Sequence, residues 1–294
     1  MSDLTVQPMT GAGGAEISGV DLAKPLGEKT FAAIRKAFDD YLVLVFRDQT
    51  LSPDAFESLV QKFAPLQPHP FVKPVDGHPC MIMIERKADE AQEVKIVGED
   101  WHADAPWLEN PVAGSSLYCL EAPPYGGDTN FCNLMIAYDS LSEGVKKTIE
   151  PLILVSRAAS GADYLKSQQG NKSMSYDLST DIHKECEHPL VQIHPRTGRK
   201  VLAVTGPYGY KFKGWTEKES KPLMDMLLAH ATRSEHTFRV RWKKGSLGVW
   251  DNRCTLHQAI KDYPGFARRM LRLQFKGVRP MGHAMPETMV AAPL

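Results

Sequence analysis

"VWDNRCTLHQAIKDYPGFARRMLRLQF", residues 249–275, is the stretch on which the fold turns. Side chains of an extended strand alternate between faces, so Arg268, Met270, Arg272 and Gln274 share one face. Arg269, Leu271, Leu273 and Phe275 share the other, which is apolar enough to pack on a core. Two arginines on one buried face are costly without anionic partners. No acidic residue lies within two places of Arg272 in "RRMLRLQF" to serve as one. A solvated strand face is the plain alternative. Ten residues separate Arg268 from His257, which stands on an earlier strand-like run.

Outward from this stretch, short strand-like runs recur between Gly and Pro punctuation: "MIMIE", "GSSLYCLEA", "HPLVQIHP", "VLAVT", "HTFRVRW" and "LGVWDN". "YLVLVF" at 41–46 reads as a buried strand and is far too short to span a bilayer. Helices are predicted over 28–41, with Phe31, Ile34, Phe38 and Tyr41 at helical spacing, and over 52–63, with Ser52 as N-cap and Pro53 at the first helical position. Helical interludes follow near 133–149 and 217–231; Thr216 with Glu219 suggests a capping box for the second, whose start Pro222 blurs. Lys243 and Lys244 read as a hairpin turn, and 165–177 as a mobile loop of the kind that forms lids. Many short strands with scattered helices point to a mainly β sandwich or barrel dressed with helices. No linker divides the chain, so one domain over 1–294 is expected.

Composition narrows the function classes. The chain has 294 residues, 35 basic and 35 acidic, which gives no net field to attract nucleic acid or a membrane surface. Any charged ligand must therefore be met by a local cluster. The five cysteines are odd in number and form no C-x-x-C pair, which suits reduced thiols in a cytoplasmic protein. "MSDLTVQPMT" has neither the basic nor the apolar region of a signal peptide.

"GEDWHADAPW", residues 98–107, places His102 and Asp104 at i and i+2, on one face of a strand. Alone the pair is weak. With His257 it makes a set of two histidines and one carboxylate, which leaves open positions on an iron(II) and is the arrangement of non-haem oxygenases. "DIHKECEH" (181–188) is a rival cluster that lacks apolar alternation and reads as a solvated loop. Trp101 and Trp250 read as packing residues, and Met81 and Met83 as core rather than pocket wall.

With "WHAD", "GGDT" at 126–129, "WDNRCTLH" and the His–ten–Arg spacing in this order, the chain resembles the TauD/TfdA-like family of Fe(II)- and 2-oxoglutarate-dependent dioxygenases. The likeness runs from "GAEISGVDLAKPL" to "QFKGVRP", and "GEDWHAD" and "RVRWKK" look closest to the members acting on phenoxyalkanoates. The resemblance implies a double-stranded β-helix (jelly-roll) with added helices, and His102, Asp104 and His257 as iron ligands. It implies Thr129 and Arg268 as holders of the distal carboxylate of 2-oxoglutarate, with dioxygen as the other cosubstrate. Arg272, and at a weaker match His69 and Trp107, would meet a small anionic organic substrate. An aryloxyalkanoate is the first expectation and an alkylsulfonate or alkylsulfate the second, in a homo-oligomer. Ala103 and "AP" at 105–106 depart from the commoner pattern, which touches substrate identity rather than chemistry. A zinc hydrolase could use the same three ligands but needs no dicarboxylate clamp. A jelly-roll protein that only binds ligands has no reason to keep them.

Overall fold

In a computed structural model of the chain, residues 4–70, 72–91, 95–96, 98–158 and 184–282 are described. The expected loop over 165–177 lies outside them. The fold is mainly β, a jelly-roll with added helices. Its largest sheet has seven strands in the order β1 (Thr5–Pro8), β2 (Ala15–Ser18), β3 (Val43–Phe46), β13 (Leu247–Asp251), β5 (Gly114–Glu121), β15 (Arg268–Phe275) and β4 (Ile82–Arg86). A smaller sheet of β12 (Thr237–Val240), β6 (Thr129–Asn133) and β14 (Thr255–Ala259) lies across from it.

Strand alternation decides what each face of the large sheet meets. Leu44, Phe46, Val249, Leu271, Leu273 and Phe275 point outward and pack with Ile34, Phe38, Phe56 and Leu59 of the two N-terminal helices. Val43, Val45, Leu117, Cys119 and Met270 point inward and pack against Phe131, Phe238, Val240 and Trp242, on or just beyond the small sheet. The expected division of β15 therefore holds: its aliphatic side is the floor for helices, and Arg268, Arg272 and Gln274 turn to the interior.

Helix α1 (Glu28–Tyr41) forms where expected and buries Ile34, Ala37 and Phe38. It ends at Leu42, whose left-handed backbone (φ 67°) turns the chain directly into β3. Helix α2 (Pro53–Val60) is capped by Ser52, whose Oγ accepts from the Ala55 N–H at 3.1 Å, and stops three residues short of expectation. The interlude near 133–149 is two helices, α3 (Leu134–Asp139) and α4 (Glu143–Ile149), because Ser142 caps a fresh start. Helix α5 (Glu217–Ala231) carries the capping box of Thr216 and Glu219, with Pro222 accommodated early in its length.

Other expectations need correction. Residues 185–188 of the supposed solvated loop over 181–188 belong to β8 (Glu185–Pro189), paired to β7 (Ile153–Arg157); His188 is buried and bonds the Leu108 carbonyl at 2.8 Å. Lys243 and Lys244 do lie at a turn, but it carries the chain from the small sheet to the large one instead of closing a hairpin. Met81 is fully buried in the helix-side core, and Trp250 in the core between the sheets. No described helix is long and apolar enough to cross a membrane.

Candidate active site

His257 sits mid-way along β14, and His102 joins it through an isolated antiparallel bridge. The two backbones exchange both hydrogen bonds, at 2.9 and 3.0 Å, which brings the imidazole centroids to 4.2 Å. Asp104, two residues on from His102, follows on the same side. Its Oδ1 lies 3.7 Å from His102 Nε2 and 3.6 Å from His257 Nε2. All three residues are buried.

Asp104 is held from several directions. Asn252, at the tip between β13 and β14, accepts from the Asp104 N–H at 2.7 Å and donates to the Asp104 carbonyl at 2.9 Å. Ser115 Oγ donates to Oδ2 at 2.7 Å, leaving Oδ1 turned toward the histidines. Ala105, next in the chain, has a left-handed backbone (φ 46°), rare for a side chain with a Cβ and sustained only where neighbours fix it. His102 Nδ1 donates to the Asp100 carbonyl at 2.7 Å, so the lone pair of Nε2 faces the cluster.

The electrostatics favour neutral imidazoles around an anion. Burial, then His102 beside it, pushes His257 down to about 3, and burial lowers His102 as well. Burial acts to raise Asp104, but Arg272 foremost, with the imidazoles and the Ser115 hydroxyl, holds it well below the usual carboxylate range. Arg272 Nη2 lies 2.7 Å from Asp104 Oδ1. This corrects the expectation that Arg272 lacks an acidic partner. The partner is remote in sequence and close only through the fold.

The residues fit a divalent metal. Three donors of the right type converge, the two histidine Nε2 lone pairs without a hydrogen bond and Asp104 Oδ1 shared only with Arg272, and the separations from that oxygen are near what one ion imposes. Atoms about 2.1 Å from one ion and at right angles to each other lie about 3.0 Å apart, so about 0.6–0.7 Å of contraction from the 3.6 and 3.7 Å separations suffices.

Arg268 is buried and makes no ion pair among the described residues; its Nε donates to the Gly127 carbonyl at 2.9 Å. Gly127 itself has φ 66°, and a Cβ there would stand 3.2 Å from Arg268 Cδ, so the second glycine of "GGDT" is required by both backbone and space. Thr129 opens β6, and its Oγ1 accepts from Trp242 Nε1 at 2.9 Å, which leaves its own proton to donate elsewhere. His69 is pushed down to about 3 by burial and then by Arg272, with Asp104 opposing, which places it in the electrostatic reach of both. Trp107 is buried in a small cluster with Val72, Ile82, Ala105 and Ala158, its ring 4.6 Å from that of Tyr208.

The family model of the taurine catabolism dioxygenase TauD, TfdA family matches residues 5–274. The chain belongs to this family. As a TauD/TfdA protein it is a 2-oxoglutarate (alpha-ketoglutarate)-dependent dioxygenase. It is 32% identical over 283 residues to the alpha-ketoglutarate-dependent sulfate ester dioxygenase of Pseudomonas putida, covering 95% of this chain and 92% of that one. It is also 32% identical over 282 residues to the alpha-ketoglutarate-dependent 2,4-dichlorophenoxyacetate dioxygenase of Cupriavidus pinatubonensis, covering 91% and 94%. A taurine dioxygenase of Burkholderia xenovorans superposes with a TM-score of 0.79 at 32% identity, covering 95% of this chain and 93% of that one.

Two residues that hold Asp104 carry no role in the sequence reading, Asn252 and Ser115. Asn252 stands inside "WDNRCTLH", where its nearness to His257 is a usable signal. Ser115 has none, since its tie to Asp104 is purely tertiary.

Proposed function

We propose that this dioxygenase binds iron(II) through His102, Asp104 and His257 and oxidises a small monoanionic organic substrate. The observation carrying the reading is the charge of the buried site. Arg268 and Arg272 stand against Asp104, an excess of one positive charge. Iron(II) adds two and dianionic 2-oxoglutarate removes two, so one further negative charge balances a dry cavity. Iron bound there with 2-oxoglutarate and dioxygen supplies the oxidising chemistry.

The chain's own groups bind and orient. Arg268, with the Thr129 hydroxyl, holds the distal carboxylate of 2-oxoglutarate by charge-assisted bonds. Arg272 takes the substrate's anion, with neutral His69 beside it. The Trp107 and Tyr208 rings form an aromatic wall that excludes water from the substrate's apolar body. That wall favours an aryl group, so an aryloxyalkanoate is the first candidate. An alkyl sulfate or sulfonate is the second, supported by the likeness to a sulfate ester dioxygenase.

The test is succinate release dependent on added substrate, screened across phenoxyalkanoates, alkylsulfonates and alkylsulfates, each beside its neutral ester or amide. Turnover is expected for the free acids. Equal turnover of the neutral derivatives would contradict the anionic reading.

A further inference from the structure

Gln274 is 3% exposed and continues the interior face of β15 beyond Arg268 and Arg272. Neither its Oε1 nor its Nε2 finds a partner among the described residues. Two silent ends on one buried amide need an explanation, because an unmade hydrogen bond costs more than an absent one. A Leu or Met at this place would carry no such cost.

Its surroundings belong to the site. Directly across on β5 stands Ser115, the residue that bonds Asp104 Oδ2. On the other edge the Gln67 N–H donates to the Gln274 carbonyl at 2.9 Å, so the segment leading to His69 runs alongside. Two residues back, Arg272 turns Nη2 to Asp104 while its buried Nε is also without a partner. Residues two apart on a strand share a face, so two unspent donors, Arg272 Nε and Gln274 Nε2, open on one interior region.

We propose that Gln274 is a specificity-determining residue whose amide N–H donates, beside Arg272 Nε, to an oxygen of the substrate's anionic head. This rests on the reading that Arg272 receives that anion. Arg272 supplies the charge; Gln274 supplies a second direction of approach, so that heads are distinguished by where their oxygens lie. The amide Oε1, which an acceptor-only head cannot satisfy, accepts from a bound water.

The test pairs carboxylate and sulfonate heads on one aryl body and follows kcat and KM in wild type, Gln274→Leu, Gln274→Met and Gln274→Glu. Leu and Met should raise KM for the better acid by about ten- to a hundredfold, with kcat changed little, and narrow the ratio between the two heads. Gln274→Glu should be worse than either, since it faces the anion with a like charge. Mn(II) affinity and 2-oxoglutarate affinity should match wild type, and thermal stability should be unchanged or higher, because an unpartnered amide has been removed. If wild type prefers free acids to their esters while the variants keep its KM and head-group ratio, the Gln274 contact is overturned alone. If wild type shows no preference for the acid, the anionic reading beneath it falls, and Gln274 with it.

Discussion

Among the described residues two buried histidine–aspartate clusters stand out, and they are built to opposite ends. In one, His194, Asp251 and Cys254 come together just before β14. His194 Nε2 donates to Asp251 Oδ2 at 3.0 Å, and His194 Nδ1 accepts from the Thr197 N–H at 3.2 Å. Asp251 Oδ1 accepts from the Arg253 backbone and from its guanidinium Nε, and Oδ2 also meets Arg253 Nη2. Both imidazole nitrogens of His194 and both carboxylate oxygens of Asp251 are engaged inside the protein. In the other, His102 and His257 turn Nε2 toward Asp104 Oδ1 at distances too long for hydrogen bonds, and among the described residues only Arg272 engages that oxygen. Residue types alone do not distinguish the two clusters; the bookkeeping of lone pairs does. The spent cluster also serves the unspent one. Asp251 and Thr255 tie the tip that holds Asn252, and Asn252 grips Asp104.

Substitutions should break the two clusters in different ways. The largest effect is expected at the open site, where His102→Ala, Asp104→Ala or His257→Ala should abolish substrate-dependent succinate release while circular dichroism reports a folded chain. Next, Asp251→Ala strands Arg253 and His194 in the interior. It should cost about 3–5 kcal/mol of unfolding free energy, read by urea denaturation. Metal binding per folded molecule should be far less affected than in the first set.

Arg268→Ala should weaken 2-oxoglutarate binding by about 2–5 kcal/mol, because the cosubstrate's buried carboxylate loses its fork. Titration of the charge-transfer absorbance of the anaerobic iron complex measures it, and unchanged affinity would make Arg268 structural. The smallest effect carries an informative sign. Arg272 places a cation on the oxygen that a metal must share, so Arg272→Met should tighten Mn(II) binding by roughly tenfold. Weaker binding would mean that Arg272 orients Asp104 and does not compete for it.

Much of this site was legible because it is local. His102 and Asp104 are two residues apart, "GGDT" is contiguous, and the two faces of β15 follow from period-two alternation. Helix α1 and the capping box of α5 were readable for the same reason. What escaped is contact across the fold. The pairing of Arg272 with Asp104, the grip of Asn252 and the bond from Ser115 join segments far apart in sequence, and no local spacing encodes them. Strand β8 was misread because "ECEHP" looks solvated, yet its backbone pairs with β7 and only His188 among its residues is fully buried. The break between α3 and α4 lies at Ser142, whose side chain caps the Val145 N–H and starts a new helix.

The difference between the clusters is tested most directly by counting metal. Mn(II) titrated into metal-free protein and followed by electron paramagnetic resonance should show one tight site per chain in wild type. The site should persist in His194→Gln, whose amide can still donate to Asp251, and vanish in His257→Ala. Retention of the tight site in His257→Ala, or its loss in a folded His194→Gln alone, would contradict the assignment of His102, Asp104 and His257 as the metal centre.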